Sequence, residues 1–211
     1  DIDEMPHVLI AGQTKSGKSV AINCMLLSLL FRATPDEVQL ILIDPKRVEL
    51  NIYSNLPHLI MPVIDDPQRA AAALNWAVAE MERRYELFDK VMARNTDEYY
   101  AMKDENPDFE YMPRIIIVID ELADLMLQVR EHVEEKINRL AAKARACGMY
   151  LLIGTQRPSV DIITGLIKAN IPARISFKVS SPQDSRIILG NTGAEKLLGK
   201  GDMLYHPTGG T

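Results

Sequence analysis

Cysteine is scarce in this chain of 211 residues, with only Cys24 and Cys147, each inside an apolar helical pattern. That scarcity excludes a disulfide scaffold and a cysteine-based metal site, and it fits a reducing compartment. The four histidines, at 7, 58, 132 and 206, show no ligand spacing. They are expected to be structural or solvated rather than metal-bound. Long apolar runs are missing too: the longest, Met25 to Phe31, falls far short of the ~20 residues that span a bilayer. No charged-then-apolar leader opens the chain, and neither internal repeats nor low-complexity tracts interrupt it. Nor is there an excess of cations, since 24 Lys and Arg face 29 Asp and Glu for a net charge of -5. An acidic total argues only weakly against a nucleic-acid partner, because the position of the cations decides, and the acidic excess is concentrated in Asp97 to Glu110.

What is present points to one compact α/β domain over residues 1–211. Apolar residues make up 47% and charged residues 25%, ordinary values for a globular fold. Val8 to Ala11, Val38 to Ile43, Ile115 to Ile119, Tyr150 to Gly154 and Ala173 to Val179 read as strands. The first four are almost continuously apolar, as strands buried on both faces of a parallel sheet must be. Between them, Pro67 to Arg94 carries Ala70, Leu74, Ala77, Met81, Tyr85 and Phe88 at helical spacing. Val133, Ile137, Leu140 and Ala144 repeat the pattern, and Gly148 follows where a helix end wants positive φ. Asn95 to Pro113 is polar, acidic and Pro-bounded and is expected to be an exposed excursion. The alternation predicts a doubly wound, mostly parallel central sheet with helices on both faces. The chain opens Asp-Ile-Asp and closes Pro-Thr-Gly-Gly-Thr, so it is expected to be a segment of a longer protein.

The chemistry sits first in Gly12-Gln13-Thr14-Lys15-Ser16-Gly17-Lys18-Ser19, which matches G-x-x-x-x-G-K-[ST] between a buried strand and an apolar helix starting near Val20. A triphosphate needs converging N–H donors, a helix N-terminus, a cation near its β and γ phosphates and a hydroxyl for Mg²⁺. The loop, Lys18 and Ser19 supply these. The second half is Ile115 to Glu121, an apolar strand ending in two carboxylates. Asp120 is expected to hold the Mg²⁺ shell and Glu121 to orient or deprotonate an attacking water. The next strand ends in Gln156, whose amide is placed to contact the γ-phosphate or the water. ATP and Mg²⁺ are therefore the expected cofactors of a P-loop ATPase.

Several segments then become familiar: Pro6 to Gly12, Leu42-Ile-Asp-Pro-Lys46, Val48-Glu-Leu50, Met81 to Leu87, Asp120 to Leu125, Thr155-Gln-Arg-Pro-Ser159, Ile163 to Pro172 and Gly193 to Gly199. Together they resemble the motor domain of the FtsK/SpoIIIE family of DNA translocases across nearly the whole chain. The resemblance implies a RecA-like P-loop NTPase fold, a homo-oligomeric, hexameric ring around double-stranded DNA, and ATP-driven pumping of chromosomal DNA during division or sporulation. It further implies a cytoplasmic motor whose full-length relatives add a membrane anchor, a linker and a winged-helix domain. Arg145 first, then Arg84, are the candidates for an arginine acting on a neighbour's γ-phosphate, and Arg157, Lys168 and Arg186 for DNA contact on pore-facing loops. Two departures stand out: Lys15 where relatives usually carry Gly, and Pro182 where some carry a basic residue. The chain is also expected to stop before the family motor's last strands. A ring ATPase that moves protein in secretion or conjugation is the alternative, and a small-molecule P-loop kinase is disfavoured by the lack of an acceptor-binding lid.

Overall fold

A computed structural model describes residues 5–207. Six strands, β1 (His7–Ala11), β2 (Val38–Ile43), β3 (Arg114–Ile119), β4 (Met149–Thr155), β5 (Ala173–Phe177) and β6 (Met203–His206), form one sheet in the order β2-β3-β4-β1-β5-β6. All neighbours are parallel except β6, which runs antiparallel to β5. Six helices accompany them: α1 (Lys18–Leu30), α2 (Pro67–Lys90), α3 (Thr96–Ala101), α4 (Leu122–Lys143), α5 (Gly165–Asn170) and α6 (Pro182–Leu189).

The unbroken apolar runs of the central strands feed two separate cores, as the period of two requires. Ile115, Ile117 and Ile119 of β3 join Leu9 and Ala11 of β1 under α2 and α4. Ile116 and Val118, with Val8 and Ile10, face the other way and cluster with Ile22 and Leu26 of α1. Helices therefore cover both faces, as the strand pattern predicts.

Local signals set the ends. Asp66 caps α2 by accepting from the Arg69 N–H at 2.9 Å, with Pro67 in the first turn, where its missing N–H costs nothing. Ser181 caps α6 in the same manner. Pro182 takes the first helical position there, so its place in this sequence has a local reason. Gly148 has φ 68, the left-handed conformation its position suggests.

The structure differs from the sequence-based expectation in several places, among them the end of β5 at Phe177 rather than Val179. Helix α2 ends at Lys90 rather than Arg94. Helix α4 begins at Leu122, well before the periodicity at Val133 becomes clear, because non-helical Val129 (φ -139, ψ 36) breaks the pattern between its two parts. Strand β6 is too short and too exposed to carry an alternation that sequence would reveal. The largest change concerns Asn95 to Pro113, which is not a wholly exposed excursion. Its acidic side chains face solvent, yet it contains α3 and buries Tyr99 completely. Tyr99 stacks on Phe109 at 5.2 Å and packs against Phe88 of α2 at 5.5 Å, and Tyr100 stacks on Tyr111. Charge density hid a few aromatic anchors that large rings make sufficient. Cys24 is exposed and Cys147 buried, both free; burial pushes the Cys147 thiol up to about 12, so it is inert near neutrality.

Two consequences are testable. Tyr99→Ala should cost roughly 3 kcal/mol or more in urea unfolding, the scale of a fully buried aromatic, whereas Asp108→Ala in the same segment should stay within about 0.5 kcal/mol. His7 is buried at the start of β1, where burial first and the Arg145 guanidinium second hold its imidazole down to about 4. Its Nδ1 accepts from the Leu151 N–H at 3.1 Å, and Nε2 has no partner. As pH falls below 6.5 the unfolded chain takes up a proton that the folded one refuses until about 4. Stability should therefore drop across that window, on the order of 3 kcal/mol, and unfolding of His7→Gln should show a flatter acid limb.

Candidate nucleotide site

The first half of the site is the turn between β1 and α1. The Gly12 N–H donates to the Thr155 carbonyl at 3.2 Å and the Gln13 N–H to the Lys178 carbonyl at 2.9 Å, which ties the turn to the segments flanking it. Gly17 has φ 116, and a Cβ there would lie 2.7 Å from the backbone nitrogen of Gly201, so only glycine fits. Gly201 in turn donates to the Ser16 carbonyl at 2.8 Å, bringing Lys200 and Gly201 against the phosphate turn. Lys15 has φ 65, the left-handed region, which explains why glycine suits that position. The strain is of order 1–2 kcal/mol. The turn forms nonetheless, and the Lys15 side chain is exposed.

The second half closes β3. Strands β1 and β3 are not neighbours, because β4 lies between them. Lys18 crosses that gap: its ammonium donates to the Asp120 carboxylate at 2.7 Å and to the Asp120 carbonyl at 2.6 Å, and both side chains are about 2% exposed. The crossing needs a bare strand beneath it. A Cβ on Gly154 of β4 would lie 2.5 Å from the Asp120 carbonyl and 3.0 Å from Lys18 Nζ. Sequence reasoning passed over Gly154 as an ordinary strand residue.

Glu121 is almost fully buried. Its carboxylate accepts from the Thr155 hydroxyl at 2.8 Å and from the Gln156 N–H at 3.1 Å, and caps α4 through the Ala123 N–H at 3.4 Å. Lys46 lies 3.5 Å from it and 3.4 Å from Asp124. Gln156 also accepts at Oε1 from the Thr14 hydroxyl at 2.9 Å, so the phosphate turn and the end of β4 are linked directly. The Ser19 hydroxyl donates to Glu49 at 2.8 Å rather than to Asp120. Sequence reasoning missed Glu49 and Lys46 as site residues. Both follow β2, and the signals that could have found them were the segments Leu42 to Lys46 and Val48 to Leu50, together with the rule that parallel strands end on one edge of the sheet.

Beside these groups lies a cavity of about 510 Å³ lined by Gln13, Thr14, Lys15, Gly17, Lys18, Ser19, Val20, Glu49, Gln156, Lys200 and Gly201. Its size suits a nucleotide. The Ser19 hydroxyl and the Asp120 and Glu49 carboxylates are hard oxygen donors, the set that suits Mg²⁺. Among the described residues no group of three or more His, Cys, Asp or Glu is gathered for an ion.

Known proteins match this chain in sequence and in fold. Residues 1–160 match the FtsK/SpoIIIE family. The chain belongs to that family. It is 57% identical over 209 residues to DNA translocase FtsK of Clostridium tetani, and 58% identical over 209 residues to DNA translocase SftA of Bacillus subtilis. Each match covers 99% of this chain but only 28% and 22% of the relative, so the chain spans less than a third of their length. The solved structure of the conjugation coupling protein TcpA of pCW3, in a monomer form with ATPγS, superposes with a TM-score of 0.85 at 32% identity, covering 100% of this chain and 60% of that one. The fold expected of an FtsK/SpoIIIE member is thus present: a P-loop ATPase sheet, six-stranded and mostly parallel.

The other residues singled out from sequence lie apart from the cavity. Arg157 follows β4 and is exposed, Lys168 is half-buried on α5, and Arg186 is exposed on α6. Arg145 is exposed in the turn after α4, on the side of the sheet where His7 opens β1, away from the phosphate turn of its own chain. Arg84 requires a correction. It is 2% exposed and engaged on all sides, donating to Glu80, to the Cys147 carbonyl and to the Pro113 carbonyl, each at 2.8 Å. An arginine so enclosed cannot reach a neighbouring subunit's nucleotide. Burial pushes the Glu80 carboxyl up, but hydrogen bonds from Arg83 and Arg84 outweigh it and hold the group below its ordinary range. Arg84→Ala should leave the Cys147 and Pro113 carbonyls unpaired and take one of two arginine partners from Glu80, which keeps Arg83, cost about 3 kcal/mol and lower Tm by on the order of 10 °C in calorimetry.

Among the described residues no helix is long and apolar enough to cross a membrane.

Proposed function

We propose that this chain is the ATP-hydrolysing motor segment of a double-stranded DNA translocase that works in the cytoplasm as a ring of identical subunits. The observation that carries the reading is the meeting of Lys18 with Asp120, the residue before Glu121, at one edge of the sheet beside a cavity of nucleotide size. The names of the FtsK and SftA relatives supply the substrate class. An anchor and a DNA-reading domain elsewhere in the full-length protein belong to the same proposal.

The turn's backbone N–H groups and Lys18 bind the phosphates, which compete with Asp120 for the ammonium. Ser19 and Asp120 would hold Mg²⁺, which neutralises developing charge on the β- and γ-phosphates when bound. Glu121 accepts the proton of the attacking water or orients it, and its hydrogen bonds from Thr155 and Gln156 fix its carboxylate. Arg157 follows Gln156 directly, so a shift at Glu121 on loss of the γ-phosphate passes along the backbone to a cation placed for DNA phosphate. Lys168 and Arg186 add further phosphate contacts, and sequence-neutral movement needs only those. Arg145 is the remaining candidate for the arginine that reaches a neighbour's nucleotide.

Lys18→Ala should weaken nucleotide binding, and Glu121→Gln should trap bound ATP with turnover lowered about 10²-fold or more in a single-turnover assay. Full turnover in Glu121→Gln would remove it from the chemistry. Duplex DNA should raise ATPase activity in a preparation that forms rings. No stimulation there, or stimulation by peptide instead, would remove DNA as the substrate.

A further inference from the structure

The segment after β2 forms a third wall of the site that the phosphate turn and the acidic strand end do not explain. Its fold is built on Asp44, which is fully buried and accepts from the N–H groups of Lys46 at 3.2 Å, Glu49 at 2.9 Å and Leu50 at 2.9 Å. Leu50 is fully buried in the core under α1. Glu49 is thus held between a buried carboxylate and a buried anchor, and its own carboxylate reaches back to the Ser19 hydroxyl at 2.8 Å, on the cavity wall.

Asp120, the carboxylate that sequence assigns to the metal, is differently occupied. Lys18 engages both its side chain and its carbonyl, its exposure is 1%, and it is not among the residues lining the cavity. The accessible carboxylate beside the metal-binding hydroxyl is Glu49. We propose that Glu49 is a second charge-bearing group of the Mg²⁺ site, accepting from Ser19 on the cavity wall and adding its charge to that of Asp120, which phosphate frees by drawing Lys18 away. The inference rests on the nucleotide-binding reading of the cavity. It places Glu49 as a positioning residue for the metal and gives the β2 segment a direct stake in the nucleotide state. Lys46, in the same turn, contacts Glu121. One rigid loop therefore touches both the metal side and the water side of the reaction.

The test separates charge from shape. Glu49→Gln keeps an oxygen that can accept from Ser19 but loses the charge, whereas Glu49→Ala loses both. Binding of a fluorescent ATP analogue would be titrated with Mg²⁺ and in EDTA, and Mn²⁺ binding to the protein–ADP complex followed by electron paramagnetic resonance. Melting curves would establish that each variant is folded. The ratio of nucleotide affinity with and without Mg²⁺, and Mn²⁺ affinity, should fall about tenfold or more in both variants, with Glu49→Asp between them and wild type. If Glu49→Gln keeps wild-type metal dependence, whether or not Glu49→Ala does, the contact is structural and the proposal is overturned. Absence of nucleotide binding by the wild-type protein, in Mg²⁺ and in EDTA alike, would instead bring down the underlying reading of the site.

Discussion

A single buried contact organises this molecule: the Lys18 ammonium held by Asp120 across the edge of β4. Two unit charges removed from water must be well paired or they cost several kcal/mol each. Here the lysine gains two acceptors from one residue, and glycine at position 154 removes the side chain that would block the approach. The pair fixes the phosphate turn relative to the end of β3, and with it the position of every other group in the cavity. It also presents the ammonium beside the place where a triphosphate would draw it away.

Around that contact the site is assembled from segments that share an edge of the sheet but little else. The ends of β1, β3 and β4 contribute, as parallel topology demands, since their carboxyl ends all lie together. The segment after β2 adds Lys46 and Glu49, and the turn before β6 adds Lys200 and Gly201. Glu121 is held by groups from β4 and is the cap of α4, so movement of its carboxylate would be felt by a long helix and by the loop bearing Arg157. In the proposed mechanism the group that would handle the attacking water and the loop bearing Arg157 are thereby close neighbours.

The sequence made much of this legible. Near-continuous apolar runs announced buried parallel strands, and a glycine-lysine-serine turn between strand and helix announced the phosphate site, because few other local structures need that pattern. It misled where local pattern and tertiary role part company. Asn95 to Pro113 looks solvated by charge count, yet Tyr99 pins it to α2. Arg84 looks like a surface arginine in a charged helix, yet the Cys147 and Pro113 carbonyls and Glu80 enclose it. Neither outcome is visible from neighbours in the chain, because both depend on partners far away in sequence.

By itself, then, the sequence determined the element types, the two-sided core and the identity of the phosphate turn, since these follow from periodicity and local backbone chemistry. Only the tertiary structure decided which carboxylate Ser19 meets, which lysine stands by Glu121, and that Gly154 clears the path between Lys18 and Asp120. Those are consequences of strand order, and strand order is set by how whole faces bury one another rather than by any short run of residues.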